Sequence, residues 1–228
     1  DPEMSRGLGD VYKRQMYRFG VTAIETENGY KVYGNQSYKP QHLNIEGDWS
    51  QAAFFLAAGA LGGNVSIENL DTASYQGDKA IYQLLRQFGA DITINGQVLS
   101  CKHNKLNGIE IDAENIPDLV PILAVVAALA EGTTTITGAA RLRIKESDRL
   151  HAITEGLNKL GADITELPDG LRINGVKSLN GGVVQGYNDH RIVMALSVAA
   201  TRATEPVIIT DAESINKSYP SFFEDYNN

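Results

Sequence analysis

Three stretches of this chain are apolar at almost every position, and an aspartate stands before each of them. Gly47-Asp48-Trp49-Ser50-Gln51 leads into 52–63, Pro117-Asp118 into 119–130, and Asn188-Asp189-His190-Arg191 into Ile192-Val193-Met194-Ala195-Leu196. The aspartates at 48, 118 and 189 are spaced by about 70 positions. A helix that is apolar all round, rather than along one stripe, belongs inside a protein, so these runs predict three central helices. Each is far shorter than the roughly 20 residues needed to cross a bilayer.

The segments after these helices repeat too. Asn64-Val65-Ser66-Ile67, Thr133-Thr134-Thr135-Ile136 and Pro206-Val207-Ile208-Ile209 are rich in β-branched residues and predict strands. Gly77-Asp78-Lys79-Ala80, Glu146-Ser147-Asp148-Arg149 and Asn216-Lys217-Ser218-Tyr219 then each precede a second helix. The second helix of the first unit, over 79–87, is amphipathic, which places it on the outside. The first two of these helices stop at Gly89 and Gly161, residues that tolerate the left-handed turn closing a helix. Alternating pairs come next, 92–94 with 97–99 and 164–166 with 171–173, the latter joined by Pro168-Asp169-Gly170, a hairpin turn.

Each unit therefore reads β-α-β-α-β-β, with repeats at about 43–108, 109–175 and 176–228, the third stopping at its last helix. The expected fold class is α/β (α+β). Three units pack pseudo-threefold around shared buried helices with their sheets outward, an inside-out α/β barrel. Residues 20–33 read as a separate hairpin. Residues 1–15, polar and without apolar periodicity, read as a leader foreign to the fold.

Composition narrows the function. A net charge of −8 argues against nucleic acid as a partner, because such proteins carry a basic footprint. Cys101 is the only cysteine, so no internal disulfide and no cysteine-rich metal site can form. It sits on a predicted strand with no His or Asp pattern beside it and reads as structural. The four His lack ligand spacing, so no metal is expected. Leu61-Gly62-Gly63 lacks the Lys and Ser/Thr of a phosphate-binding loop. With no membrane partner indicated, a cytoplasmic location is the expectation.

Against that acidic background, cations gather at the ends of repeated elements. Arg141, Lys145, Glu146 and Arg149 come after the second inner helix, His190 and Arg191 open the third, and Lys217 lies near the end of the chain. Repeated positions converge near a pseudo-axis, so these side chains, with Asp118, should share one rim. Lys and Arg at such places hold phosphate and carboxylate, and interleaved acids can move protons. Asp48 reads as a helix cap and Trp49 as packing. Asp118 reads as chemistry, because the basic loop of its own repeat comes after it.

The motifs Lys145-Glu146-Ser147-Asp148-Arg149, Asn188-Asp189-His190-Arg191, Ile116-Pro117-Asp118-Leu119-Val120-Pro121, Lys217-Ser218-Tyr219-Pro220 and Glu46-Gly47-Asp48-Trp49-Ser50-Gln51-Ala52-Ala53-Phe54-Phe55 resemble the 5-enolpyruvylshikimate-3-phosphate synthase family in identity and order. The resemblance runs from about Phe19 to the end. It implies an enolpyruvyl transferase-type fold of two domains, with transfer of the enolpyruvyl group of phosphoenolpyruvate to the 5-hydroxyl of shikimate-3-phosphate and release of phosphate, on the way to chorismate and the aromatic amino acids. It implies no metal or organic cofactor, two small-molecule substrates and a monomeric intact enzyme. Carried over by position, Asp118 resembles the base on the 5-hydroxyl, and Glu146 a participant in proton transfer at the enolpyruvyl carbon. Lys145 resembles a shikimate-3-phosphate contact, as does Arg141, which stands where family members carry Asn or Arg. Arg149, Arg191 and Lys217 resemble a clamp on phosphoenolpyruvate, and His190 joins the substrate contacts.

The family's N-terminal half should bring a Lys-Ser…Arg motif, a Gly-rich loop and a Ser-Ser/Ala-Gln contact, and none occurs here. The chain is accordingly expected to be a C-terminal half, with 16–41 a remnant of the other domain and its hinge and 42–228 the C-terminal domain, folding but inactive alone. The rivals are a UDP-N-acetylglucosamine enolpyruvyltransferase fragment, which shares fold and donor, and a non-catalytic repeat scaffold with solvated loops.

Overall fold

The structure, a computed structural model, describes residues 6–227. The three apolar runs form helices α2 (Trp49–Leu61), α4 (Val120–Ala128) and α6 (His190–Ala200), and all three touch one another. Every residue of α4 is buried, as are all but the last of α6, so these helices are the core that the all-round apolar pattern demands. The outer helices are α3 (Ala80–Phe88) and α5 (Arg149–Lys159). α3 is amphipathic as expected, burying Ile81, Leu85 and Phe88, and it ends on Gly89 at φ 115°. A side chain there would strike the Lys105 carbonyl, so glycine serves both the turn and the close approach. α5 is buried more deeply than an outer helix should be, because it packs against α4 and α6 as well as a sheet.

The second unit is complete. Strands β6 (Glu110–Asp112) and β7 (Thr133–Thr137) run parallel across α4, and the hairpin of β8 (Asp163–Leu167) and β9 (Gly170–Asn174) adds antiparallel in the order β6-β7-β9-β8. The third unit repeats only the beginning, with β10 (Gly182–Val184) parallel to β11 (Val207–Ile209) across α6, then a five-residue α7 (Phe222–Tyr226). Among the described residues no closed barrel forms. The sheets stay separate, one per unit, outside the shared helices.

One expectation needs correction. The first unit lacks its leading strand: it holds only β3 (Asn64–Ile67), β4 (Asp91–Asn95) and β5 (Val98–Lys102), in the order β3-β5-β4. Ahead of α2, the Gly47 N–H bonds the Asn69 carbonyl and the Asn69 side-chain amide bonds the Ile45 carbonyl, but no ladder forms. Leu43 and Ile45 are exposed, so that segment has no apolar face to dock and joins no sheet. Of residues 1–15, read as a leader, the first five lie outside the described residues and the rest belong to a helix, α1 (Arg6–Arg18). Two contacts anchor it: Lys13 pairs with Glu25 at 3.0 Å, and the Arg14 guanidinium lies over the Tyr75 ring at 4.5 Å. The hairpin read at 20–33 forms, as β1 (Ala23–Thr26) with β2 (Gly29–Val32). Among the described residues no helix is long and apolar enough to cross a membrane.

Candidate active site

Asp118 belongs to a 3-10 turn, Pro117–Leu119, that leads into α4. Unlike the other two repeat aspartates it caps nothing. Asp48 accepts from the backbone of Ser50 and Gln51, and Asp189 from that of Arg191. The Asp118 carboxylate is left to face outward, where Arg149 Nη1 reaches Oδ1 at 2.9 Å, Lys145 Nζ reaches the same oxygen at 3.6 Å and Arg191 Nη2 reaches Oδ2 at 3.3 Å. Burial pushes this carboxyl up, but Arg191, Lys145 and Arg149 together outweigh it and hold it below the usual carboxylate value.

Arg149 is the hub. It opens α5, its side chain is 2% exposed, and Nε donates to Asp189 Oδ2 at 2.8 Å. Nη2 donates to Asp189 Oδ1 at 3.2 Å and also to Glu146. Asp189 is wholly buried at the mouth of α6 and takes a further bond from Ser147 Oγ at 2.9 Å. Its carboxyl, driven up by burial, is brought net downward by the Arg149 bonds and charge. One guanidinium thus joins α4, α5 and α6 through three carboxylates, a degree of pairing that a buried cation requires.

His190 and Arg191 occupy the first turn of α6 and are both buried. His190 Nδ1 is 3.9 Å from Glu146 and has no hydrogen-bond partner among the described residues, and neither has Arg191 Nη1. Burial, helped by Arg191 and Arg149, lowers the His190 pKa against the pull of Glu146 and Asp189, which favours the uncharged ring. Lys217 is exposed at the end of a 3-10 stretch, Ala212–Lys217, and its ammonium bonds the Asn188 carbonyl, next to Asp189 in the chain.

Of the residues singled out in the sequence, Asp118, Lys145, Glu146, Arg149, His190 and Arg191 therefore converge, and Lys217 joins them through Asn188. Arg141 does not. It is half-buried in the Ala140–Ile144 turn and, among the described residues, makes no bond or ion pair to the others. Sequence reasoning misses Asp78, because its segment is bland, yet it stands at the place in the first repeat that Lys145–Arg149 occupy in the second. It bonds Ser50, and burial raises its pKa although Ser50 and Arg191 draw it down. Repeat position is the signal that could find it. Gln51 is missed as well; its amide donates to Ser218 Oγ at 3.3 Å and ties α2 to the Lys217 loop.

Glu146, Asp189 and His190 offer ligand atoms within 4.8 Å of one another, the spacing a metal ion would use. The Arg149 guanidinium bonds both of these carboxylates, so their charge is already neutralised and the set fits a cation poorly. Cys101 is buried on β5, and burial lifts its thiol to about 12, which leaves it inert.

These shifts carry a pH signature. Asp118 and Asp189 bind protons less readily folded than unfolded, so their contribution to stability is complete above the unfolded value, 3.8, and is lost as pH falls through their lower folded values. Asp78 runs the other way, its contribution fading as pH rises through its raised value. Urea midpoints measured from pH 7 down to pH 2 should fall on the acid side, and less steeply in Asp118→Asn. An identical acid limb in that variant would contradict the assignment.

Fold and rim together define a class: repeats of a βαβαββ pattern, complete in the second unit, whose inner helix mouths bring cations and carboxylates together. The chain matches the family model described as EPSP synthase (3-phosphoshikimate 1-carboxyvinyltransferase) over residues 10–226, and it belongs to that family. The match begins ahead of Phe19, where the motif resemblance starts. A 3-phosphoshikimate 1-carboxyvinyltransferase of Clostridium perfringens (strain SM101 / Type A) is 51% identical over 226 residues, covering 97% of this chain and 53% of the relative. One from Methanocaldococcus jannaschii is 44% identical, covering 98% and 52%. A solved EPSP synthase from Acinetobacter baumannii superposes with a TM-score of 0.83 at 32% identity, covering 94% of this chain and 53% of that one. The chain thus spans about half the length of the relatives it matches.

Proposed function

We propose that this chain supplies one wall of a site that transfers the enolpyruvyl group of phosphoenolpyruvate to the 5-hydroxyl of shikimate-3-phosphate and releases phosphate, a step toward chorismate and the aromatic amino acids. The other wall falls to the part of the relatives that this chain does not span. In this reading 42–228 is the domain that carries the rim, 16–41 leads toward the other wall, and 1–15 takes no part. The observation that carries the proposal is Asp118 ringed by Lys145, Arg149 and Arg191, with Arg191 Nη1 buried and unpaired among the described residues. A carboxylate or phosphate oxygen would satisfy that donor. Leaving it unmet costs about 1–3 kcal/mol.

Asp118 takes the proton of the attacking hydroxyl. In the unliganded protein its cations make it a weak base. Substrate anions compete for Arg191 and Lys145, and as they do so the carboxylate regains basicity. Glu146 handles the proton that moves to and from the methylene carbon, with His190 Nδ1 3.9 Å away. Lys145 holds the shikimate phosphate, and Arg141, which makes no bond to the rim in the unliganded chain, reaches it only once substrate is bound. Arg149, Arg191 and Lys217 supply the positive field for the phosphoenolpyruvate anion and for charge developing as phosphate leaves. The family match favours the shikimate substrate over the UDP-sugar alternative. We place the enzyme in the cytoplasm as a monomer that needs no cofactor.

Phosphate release from the two substrates tests the reading. The chain alone should show none. The same chain fused behind the non-overlapping half of the C. perfringens relative should turn over. A folded fusion that releases no phosphate overturns the proposal, as does full activity of the chain by itself.

A further inference from the structure

We propose that Arg143, which faces away from the rim, is a positioning residue for it: its guanidinium clamps the loop bearing Lys145 and Glu146 onto the β8–β9 turn. The role in turnover rests on the enolpyruvyl-transfer reading above; the clamp itself does not.

Four bonds fan out from this one side chain. Nε donates to the Pro168 carbonyl at 3.0 Å and Nη2 to the Leu167 carbonyl at 2.7 Å. Nη1 donates to Glu166 Oε1 at 2.7 Å and to Asp148 Oδ2 at 3.0 Å. Three of these partners lie at the end of β8 and in its turn. The fourth is the aspartate that caps α5 through the His151 N–H at 3.1 Å. The turn also grips the start of the loop. Asp169 Oδ1 accepts from Ala140 N at 2.6 Å, and its backbone carbonyl from Ala139 N at 3.1 Å.

The loop is therefore fixed at its entry by Asp169 and at its exit by Arg143 through Asp148. Between these anchors Leu142 packs into the core, but Ile144, next to Lys145, is 85% exposed, so packing gives no hold on the Lys145 side. Lys145 and Glu146 are held by contacts inside the site, to Asp118, Arg149 and His190. Those contacts are the ones substrates would disturb. A loop that must keep its place while its active-face partners exchange needs a tether on the opposite face, and Arg143 supplies it. The fork matters: a lysine ammonium at this position keeps the charge but cannot meet two carbonyls and two carboxylates from one planar group.

Asp118 titration reads the clamp directly, because Lys145 sits 3.6 Å from that carboxylate and moves with the loop, whereas the bonds of Arg143 all go to other partners. Carboxyl ¹³C shifts of Asp118 would be followed against pH in the 228-residue chain and in Arg143→Ala and Arg143→Lys, with urea midpoints to confirm folding. Both variants should titrate closer to 3.8 than the parent, the Lys variant as far as the Ala one. In the fusion enzyme kcat/KM should drop about 10- to 100-fold in both, the scale of an ångström of misplacement. An unmoved Asp118 titration overturns the clamp. So does full restoration by lysine, which would trace the effect to charge at a distance. If Arg143→Ala does not fold, the Arg143→Lys titration decides between these outcomes. A shifted titration alongside an inactive parent fusion supports the clamp and sinks only the functional reading.

Discussion

Replacing Arg149 with alanine is expected to lower the stability of the chain by about 3–5 kcal/mol, the usual loss when one member of a buried charge cluster is removed. Most of that comes from Asp189. It is fully buried, both of its oxygens are bonded by Arg149, and it would keep only Ser147 and a backbone amide. Asp118 would fare better, since Lys145 and Arg191 remain and its side chain is 30% exposed. The helix mouths of α4 and α6 and the start of α5 would also lose the group that joins them. A surface pair gives the contrast: Lys105 and Glu131 approach to 2.8 Å with both side chains about two-thirds exposed, and Lys105→Ala should cost less than about 1 kcal/mol. Urea unfolding of the two variants beside the parent measures both. A loss under about 1 kcal/mol for Arg149→Ala would mean that the cluster is not the structural hub described.

Asp118→Asn should cut kcat of the fusion enzyme by about 10²–10⁴ while the protein stays folded. Asn keeps the shape and one acceptor for Arg149, but it cannot take a proton from a hydroxyl. It also removes the charge that Lys145 and Arg191 now share, freeing both cations for anionic substrates. KM should therefore hold or fall while kcat collapses, the pattern of an interaction made in the transition state rather than on binding. Initial rates of phosphate release over a range of both substrates separate the two constants. A kcat within about threefold of the parent would remove Asp118 from the chemistry and leave it a structural partner of the three cations.

Much of the scaffold could be read directly. The all-round apolar runs over 119–130 and 192–196 had no stable place except a core, and the alternation on either side of Pro168-Asp169-Gly170 fitted a hairpin, which forms with Gly170 already in the second strand. Both signals are local, set by residues a few positions apart. The leading strand of the first unit was expected from repeat logic, but a parallel strand depends on a distant partner and an apolar face, and exposed Ile45 provides none. The helix at Arg6–Arg18 escaped the sequence reading for the opposite reason: its anchors, Glu25 and Tyr75, are remote in sequence and polar or aromatic rather than periodic.

By itself the sequence determined the repeat, the three inner helices, the family motifs and the set of charged residues that could meet, because periodicity and residue chemistry are properties of the chain. It could not say what each aspartate does. Asp48, Asp118 and Asp189 hold the same place in their units, yet Asp48 does no more than cap its helix, Asp118 caps nothing and faces three cations, and Asp189 caps its helix while buried under a guanidinium. Which Arg turns inward as Arg149 does, and which turns back to hold a hairpin as Arg143 does, also waited for the packed structure. Those choices depend on burial and on partners tens of residues away, and only folding brings these into contact.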